Sequence, residues 1–323
     1  MYMNTIACKV CANTINNKLF ELREMYLGLK EIFFYQQCNN CGLMQLLNIP
    51  EDLSKYYPAD KYYSLKNEIS NKVQVERVRK IKSNYLLYNK HKLPGKILSI
   101  GYKVPEYYQW LKKVKVQFDD AILDVGCGTG SLLKTLNKIG FTNLTGIDPF
   151  NEKDLDYGDI KIYKKDVFEI GRKYDFIMLN HVFEHMDEPQ KIIKKLYTLL
   201  NNGKYLLIRT PVMDSYAWKT YQTNWMSLDA PRHLLIHTVK SIQILSDNAG
   251  FRVDDVVFDS TEDGLIGSEQ YRKNIALIDA NSFFTDRKNS LFSKQEIDNF
   301  KKTAKEKNKN RDGDQAAFYL YKA

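Results

Sequence analysis

The chain has 323 residues, 44% of them hydrophobic and 27% charged, which is enough for one large core and a small accessory domain. No run reaches the ~18–20 apolar residues that cross a bilayer, and the opening residues lack the apolar centre of a secretory signal. A cytoplasmic protein without membrane insertion is therefore expected. The net charge of +9 raises nucleic acid as a partner. Its lysines are spread along the chain, denser only near 72–96 and 300–310, and neither stretch interleaves arginines with aromatics as a nucleic-acid platform does. A solvated basic face accounts for the charge.

Residues 1–45 read as a compact ribbon. Four of the five cysteines form two Cys-x-x-Cys knuckles, Cys8/Cys11 and Cys38/Cys41, with 26 residues between the pairs. Two residues between cysteines let both thiolates face one ion, and Gly42 permits the tight turn after the second knuckle. The aromatic run 31–37 reads as a strand that delivers the second pair. In a reduced compartment this pattern predicts a structural zinc held by Cys8, Cys11, Cys38 and Cys41, with metal-free knuckles as the alternative. Four thiolates close the coordination sphere, so the ion stabilises and does not catalyse.

Residues 46–120 read as a helical connector, with helix-compatible stretches at 67–92 and 104–116. From 121 the pattern becomes regular α/β. Strands are predicted at 121–125, 143–147, 160–163, 174–179, 203–209 and 251–258, and a seventh at 316–321. The fold class expected is α/β, a Rossmann-like seven-stranded mostly parallel sheet with an antiparallel last strand. Insertions at 210–237 and 260–313 interrupt the alternation. Both follow parallel strands and so emerge at carboxyl ends, where open α/β sheets bind ligands.

Five motifs mark those strand ends. Asp124-Val125-Gly126-Cys127-Gly128-Thr129-Gly130 follows an apolar strand and opens a helix. Its alternate glycines let backbone pass close to a ligand, and the preceding acid suits an amino-acid moiety bearing an ammonium group. Asp148, before Pro149, ends the second strand, where an acid can bond both ribose hydroxyls. Asp166, before Val167, follows the third strand and can accept from an adenine amino group. The fourth strand runs into Asn180-His181-Val182-Phe183-Glu184-His185, and Asn202-Gly203 to Thr210-Pro211 reads as turn, strand and stop.

In their order and spacing these motifs resemble the class I S-adenosylmethionine-dependent methyltransferases, over 121–259, especially those whose fourth motif reads His-Val-x-Glu-His. The resemblance implies Gly126, Gly128 and Gly130 around the methionine end, Asp148 with Pro149 at the ribose, and Asp166 with Val167 at the adenine. The backbone of Asn180 and His181 would lie beside the sulfonium. In methyltransferases of this layout a segment ahead of the first strand covers the cofactor, which singles out Tyr62 and Tyr63. Cys127 reads as a packing residue. The ribbon and the tract Leu228-Asp229-Ala230-Pro231-Arg232-His233 resemble zinc-ribbon methyltransferases of bacterial surface-polysaccharide and natural-product clusters.

That resemblance implies O-methylation of a sugar, in nucleotide-linked form. Methyl transfer to an alcohol needs positioning and removal of a proton. His233 is the favoured general base and His181 the second candidate, because imidazole titrates near neutrality. Arg232 would hold an anionic part of the acceptor. Tyr216, Trp218 and Trp225 offer flat apolar faces, and Glu269, Gln270 and Tyr271 offer polar groups. His185 and His237 read as hydrogen-bonding residues of the scaffold. Three alternatives remain: a sugar C-methyltransferase, an RNA methyltransferase with the ribbon as its grip, and a non-catalytic scaffold that keeps the cofactor fold.

Overall fold

A computed structural model describes residues 6–57, 77–287 and 291–323. In chain order it contains β1 (Lys18–Arg23), β2 (Ile32–Gln37), β3 (Met44–Leu46), α1 (Arg77–Tyr88), α2 (Lys92–Leu98), α3 (Glu106–Lys113), β4 (Ile122–Val125) and α4 (Ser131–Ile139). There follow β5 (Leu144–Ile147), β6 (Leu155–Asp156), β7 (Ile160–Tyr163), β8 (Tyr174–Asn180), α5 (Pro189–Leu199) and β9 (Leu200–Pro211). The chain continues through α6 (Tyr216–Tyr221), β10 (Leu235–Ile236), α7 (Val239–Ala249), β11 (Arg252–Phe258), α8 (Glu262–Arg272), α9 (Lys294–Lys309) and β12 (Gln315–Lys322). Among the described residues no helix is long and apolar enough to cross a membrane.

The larger sheet has the order β11-β12-β9-β8-β4-β5-β7-β6. Its centre is parallel: β4 pairs with both β5 and β8, and β5 pairs with β7. Every residue of β4 and of β5 is buried, as expected of strands covered on both faces. The sheet has eight strands where seven were expected, because the two-residue β6 adds antiparallel to β7. Two residues carry no alternation for a sequence to display. The last strand, β12, lies between β9 and β11. Helix α4 shows why the first crossover forms: Leu133, Leu136 and Ile139 recur at helical spacing and are buried, and Gly140 stops the helix at φ +123°.

The chain divides into two units. One comprises Met1–Pro58, His181–Ile193 and Ile208–Phe318; the other comprises Ala59–Asn180, Lys194–Leu207 and Tyr319–Ala323. The ribbon region belongs to the first unit and is not self-contained within 1–45. Its antiparallel strands β1, β2 and β3 are joined by β10, a piece of the first insertion, through Leu235 opposite Gln45 and Ile236 opposite Met44. The second insertion supplies α8 and α9, the latter opened by a reciprocal Ser293–Glu296 cap. It carries its own apolar cluster of Ile266, Phe283 and Phe292.

Candidate functional site

The second unit builds the glycine turn. Gly126, Gly128 and Gly130 take φ of +71°, +52° and +77°, a region that side chains avoid. A Cβ on Gly130 would lie 2.3 Å from Ile162 Cδ1, so space as well as torsion demands glycine there. The Gly126 and Cys127 amides donate to the Ile147 carbonyl at 2.8 and 3.1 Å, which ties the turn to the end of β5.

Asp148 is oriented by that same turn. Its Oδ2 accepts from the Gly128 amide at 2.9 Å and its Oδ1 from the Phe150 amide at 2.9 Å, leaving each oxygen a second lone pair. Asn151, which belongs to none of the five motifs, donates to the Gly128 carbonyl at 2.9 Å. Asp124 is 5% exposed. Burial, and then the charge of Asp148, push its carboxyl up to about 8. Cys127 is half-buried and packs against Gly146, and burial raises its thiol above the ordinary range. At the end of β7 Asp166 is exposed and spends Oδ1 on capping a short 3-10 turn, accepting from the Phe168 amide at 2.9 Å, while Val167 is buried. Pro149 is exposed. Tyr62 and Tyr63 lie outside the described residues.

In the first unit the four knuckle cysteines converge. Cys8 Sγ lies 3.5 Å from Cys41 Sγ and Cys11 Sγ 3.4 Å from Cys38 Sγ, with all four sulfurs within 4.8 Å of one another. These separations are too long for a disulfide and close to the edge of a tetrahedron with ~2.3 Å metal–sulfur bonds. The hydrogen bond from Cys41 holds the Cys8 thiol down to about 5. Gly42 turns the second knuckle at φ +76°.

A second cluster forms around Glu184, in the turn after His181. His181 sits at φ +56°, and its amide donates to the Arg209 carbonyl at 2.9 Å. Arg209 Nη1 donates to His181 Nε2 at 2.8 Å while its Nε pairs with Asp259 at 2.7 Å. The His181 lone pair is thus engaged by a guanidinium. Glu184 is fully buried, and its Oε2 accepts from Thr210 Oγ1 at 3.0 Å. Burial raises its carboxyl, but the neighbouring His181, and then His233, more than offset this and bring it down to about 2.

His233 comes from the insertion and is 8% exposed. Its Nδ1 lies 2.7 Å from the Ser227 carbonyl, which can only accept, so Nδ1 carries the hydrogen and Nε2 keeps its lone pair. Nε2 lies 3.6 Å from Asp229 Oδ2 and 4.0 Å from Glu184 Oε1. The His185 ring meets that of His233 edge-on, centroids 4.7 Å apart. Burial, and then His233, push His185 down to about 4, so it is neutral at pH 7. Tyr57 Oη lies 3.1 Å from His185 Nδ1.

Several residues singled out for the acceptor are committed elsewhere. Arg232 is 4% exposed, paired with Asp229 and stacked on Tyr26 at 3.6 Å, so the expected anion-holding guanidinium is occupied internally. Trp225 is fully buried with Nε1 donating to Asp314 at 3.0 Å. Gln270 is fully buried too, donating to Ser282 Oγ and accepting from the Phe283 amide. Tyr271 is 4% exposed and Trp218 is 8% exposed, its ring edge-on to Phe20. These side chains fill core, because aromatic residues in a long insertion must pack its own elements. Tyr216 and Glu269 remain half-exposed. His237 is fully buried, stacked on Phe183, as expected of a scaffold residue. Sequence reasoning left His185 to the scaffold and passed over Asp229 and Tyr57; the Glu184-His185 pair was visible in the fourth motif, but its meeting with His233 was not.

A family model described as a methyltransferase domain matches residues 76–256. The (S)-tetrahydroprotoberberine N-methyltransferase of Eschscholzia californica is 26% identical over 132 residues, 37% of this chain and 36% of that protein. The malonyl-[acyl-carrier protein] O-methyltransferase of Calditerrivibrio nitroreducens is 33% identical over 102 residues, 31% of this chain and 41% of that protein. The chain thus spans less than half the length of these two curated relatives. Among solved structures, a SAM-dependent methyltransferase from Archaeoglobus fulgidus is 20% identical, covering 68% of this chain and 100% of that one at a TM-score of 0.39. An O-methyltransferase from a trans-AT PKS multienzyme of Brevibacillus brevis, in complex with S-adenosyl-L-homocysteine, is 18% identical, covering 75% and 79% at a TM-score of 0.40.

Proposed function

The chain belongs to the methyltransferase-domain family, a class I S-adenosylmethionine-dependent fold, and from that premise we propose that it is an O-methyltransferase acting on a sugar in nucleotide-linked form. The cofactor, when bound, supplies a methyl group on a sulfonium, which is already a good leaving group. The chain's residues must hold the donor, hold the acceptor and take up the acceptor's proton.

For the donor, Asp124 meets the ammonium, the turn of Gly126, Gly128 and Gly130, without side chains, admits the methionine end, and Asp148 accepts from the ribose hydroxyls. Asp166, with Oδ2 not used by its cap, and Val167 serve the adenine. Asn180 and His181, consecutive in the chain, keep the sulfonium-side role that the resemblance implies. Replacing Asp148 by Ala is expected to weaken S-adenosylmethionine binding by at least ~2 kcal/mol, the loss of two charge-assisted hydrogen bonds. Calorimetric titration reads this, and an unchanged affinity would remove the ribose assignment.

One observation carries the acceptor side: the His233 imidazole has its Nδ1–H anchored on the Ser227 carbonyl and its Nε2 lone pair held beside two carboxylates. That is an imidazole anchored for proton exchange at Nε2, with an adjacent negative field that stabilises its imidazolium form. His181, whose lone pair is taken by Arg209, is the weaker candidate. The sugar assignment draws support from the ribbon and the Pro-Arg-His tract. Arg232, Trp218, Trp225, Gln270 and Tyr271 drop out of acceptor recognition, and Tyr216 and Glu269 retain it.

The four cysteines hold a structural zinc in this reading, and their geometry fits that ion. Replacing His233 by Ala should lower kcat by ~10²–10⁴ while cofactor affinity stays intact. The acceptor itself is tested by incubating nucleotide-activated sugars with S-adenosylmethionine and reading the mass gain of one methyl group. Methylation of RNA or of none of the sugars in such a screen would overturn the sugar reading.

A further inference from the structure

We propose that Glu184, His185 and His233 form a binding site for a divalent transition-metal cation of the Zn²⁺ class, separate from the four-cysteine cluster. One ligand atom from each of the three lies within 4.8 Å of the other two. The two imidazoles are held in the same way. His233 Nδ1 lies 2.7 Å from the Ser227 carbonyl and His185 Nδ1 2.9 Å from the Arg232 carbonyl. Both nitrogens therefore carry the hydrogen, and both Nε2 atoms present a lone pair. Metal-binding histidines are oriented by such an outer bond from the opposite nitrogen.

Glu184 supplies the second, independent observation. It is 0% exposed, and its Oε1 has no hydrogen-bond partner among the described residues. The nearest nitrogen, His181 Nδ1, lies 3.4 Å away. A buried carboxylate oxygen without a donor is costly, and a cation shared with the two imidazoles removes that cost. The anion-side partner Oε2 is already fixed by Thr210, so the carboxylate is aimed before any ion arrives.

The donor set selects the ion. Two imidazole nitrogens and one carboxylate suit Zn²⁺, Co²⁺ or Ni²⁺, whereas Mg²⁺ and Ca²⁺ favour oxygen throughout. Three protein ligands leave a coordination position open, in contrast to the closed four-thiolate cluster. The site rests on the base reading of His233 in one respect: cation and proton compete for the same Nε2 lone pair. A loaded site removes His233 as a base, so the centre has two mutually exclusive states.

The test is metal stoichiometry, which does not depend on transferase activity and so fails separately from that reading. Full-length protein stripped of metal and titrated with Co²⁺ should take up about two equivalents. The first should show the intense near-ultraviolet thiolate-to-cobalt band of the cysteine cluster, and the second should add only weak visible bands. His185→Ala should lose the second equivalent and keep the thiolate band, which also reports that the ribbon has folded. Glu184→Gln, closer in shape, should weaken the second equivalent by more than the ~10–100-fold typical of losing an outer partner. Saturation of the wild-type protein at one equivalent, with the thiolate band alone, overturns the proposal, as does a His185→Ala protein that still binds two.

Discussion

Replacing Cys38 by Ser is expected to lower turnover by ~10²-fold or more while leaving S-adenosylmethionine affinity essentially unchanged. The reason lies in what the ribbon is bonded to. Strand β3 pairs with β10, and the Leu46 amide donates to the Leu234 carbonyl at 2.9 Å. Tyr35, fully buried, donates from its hydroxyl to the His233 carbonyl at 2.8 Å. Burial pushes the Tyr35 phenol well above its ordinary value, so it stays a donor across the working pH range. At the second knuckle Thr238 Oγ1 donates to the Cys41 carbonyl at 2.6 Å and Lys240 Nζ to the Asn40 carbonyl at 2.6 Å. The backbone from His233 to Lys240 is therefore hung on the ribbon.

Metal binding to a four-thiolate site is worth roughly 10–16 kcal/mol of folding free energy in isolated zinc modules. With Cys38 replaced and no ion held, three sulfurs and a hydroxyl remain packed together, with the Cys8 thiol pulled down by its hydrogen bond to Cys41. The knuckles should open, β3 should lose its register and the His233 imidazole should lose its orientation. The glycine turn and Asp148 are bonded within the other unit, to each other, to β5, to the Tyr163 carbonyl at the end of β7 and to Phe150 and Asn151. The expected pattern is kcat lowered by ~10²-fold or more, as when a positioning contact is lost, the melting temperature lowered, and donor affinity retained. Zinc analysis, thermal melts and calorimetry on one preparation read all three. A Cys38→Ser protein with native turnover would show that the ribbon does not position the acceptor residues.

Much of this arrangement was legible in the residues, and the remainder failed for identifiable reasons. Strands β4 and β5 were visible because each is a short apolar run leading into a glycine or an acid, and β7 and β8 because β-branched and other large apolar residues dominate them. Pairing of β10 with β3 joins residues 190 positions apart and leaves no local trace. The turn that brings His181, Glu184 and His185 together depends on a positive φ at His181, which no pattern of side chains announces. Arg232 is a different case. Asp229 stands three residues before it, and that spacing already allowed the internal pair that removes Arg232 from anion binding. Trp225 and Gln270 looked available because insertions read as surface, whereas Trp225 is buried with its Nε1 on Asp314 and Gln270 belongs to an insertion with a core of its own.

The pH dependence of donor binding should be set by Asp124. Its carboxyl is 5% exposed and raised to about 8, from an ordinary value near 3.8, by burial and then by Asp148. Between those two values the folded, ligand-free protein holds a proton that the unfolded chain has released. Stability of the ligand-free protein should therefore fall as pH rises from about 4 toward about 8, by up to about 1.4 kcal/mol per unit, and level off above. Ionised Asp124 is the form that meets an ammonium group. Binding of S-adenosylmethionine should accordingly strengthen from pH 6 to 8, by up to about tenfold per unit. Asp124→Asn removes both effects. It should melt higher than the wild type at pH 8–9 without ligand, and it should bind the donor at least ~100-fold more weakly, by about 2.7 kcal/mol, with little dependence on pH. Calorimetric titrations at four pH values and melts of both proteins provide the measurement. Native affinity in the Asn variant would mean that the ammonium is held by backbone alone, and that the acid before the glycines serves the turn and not the ligand.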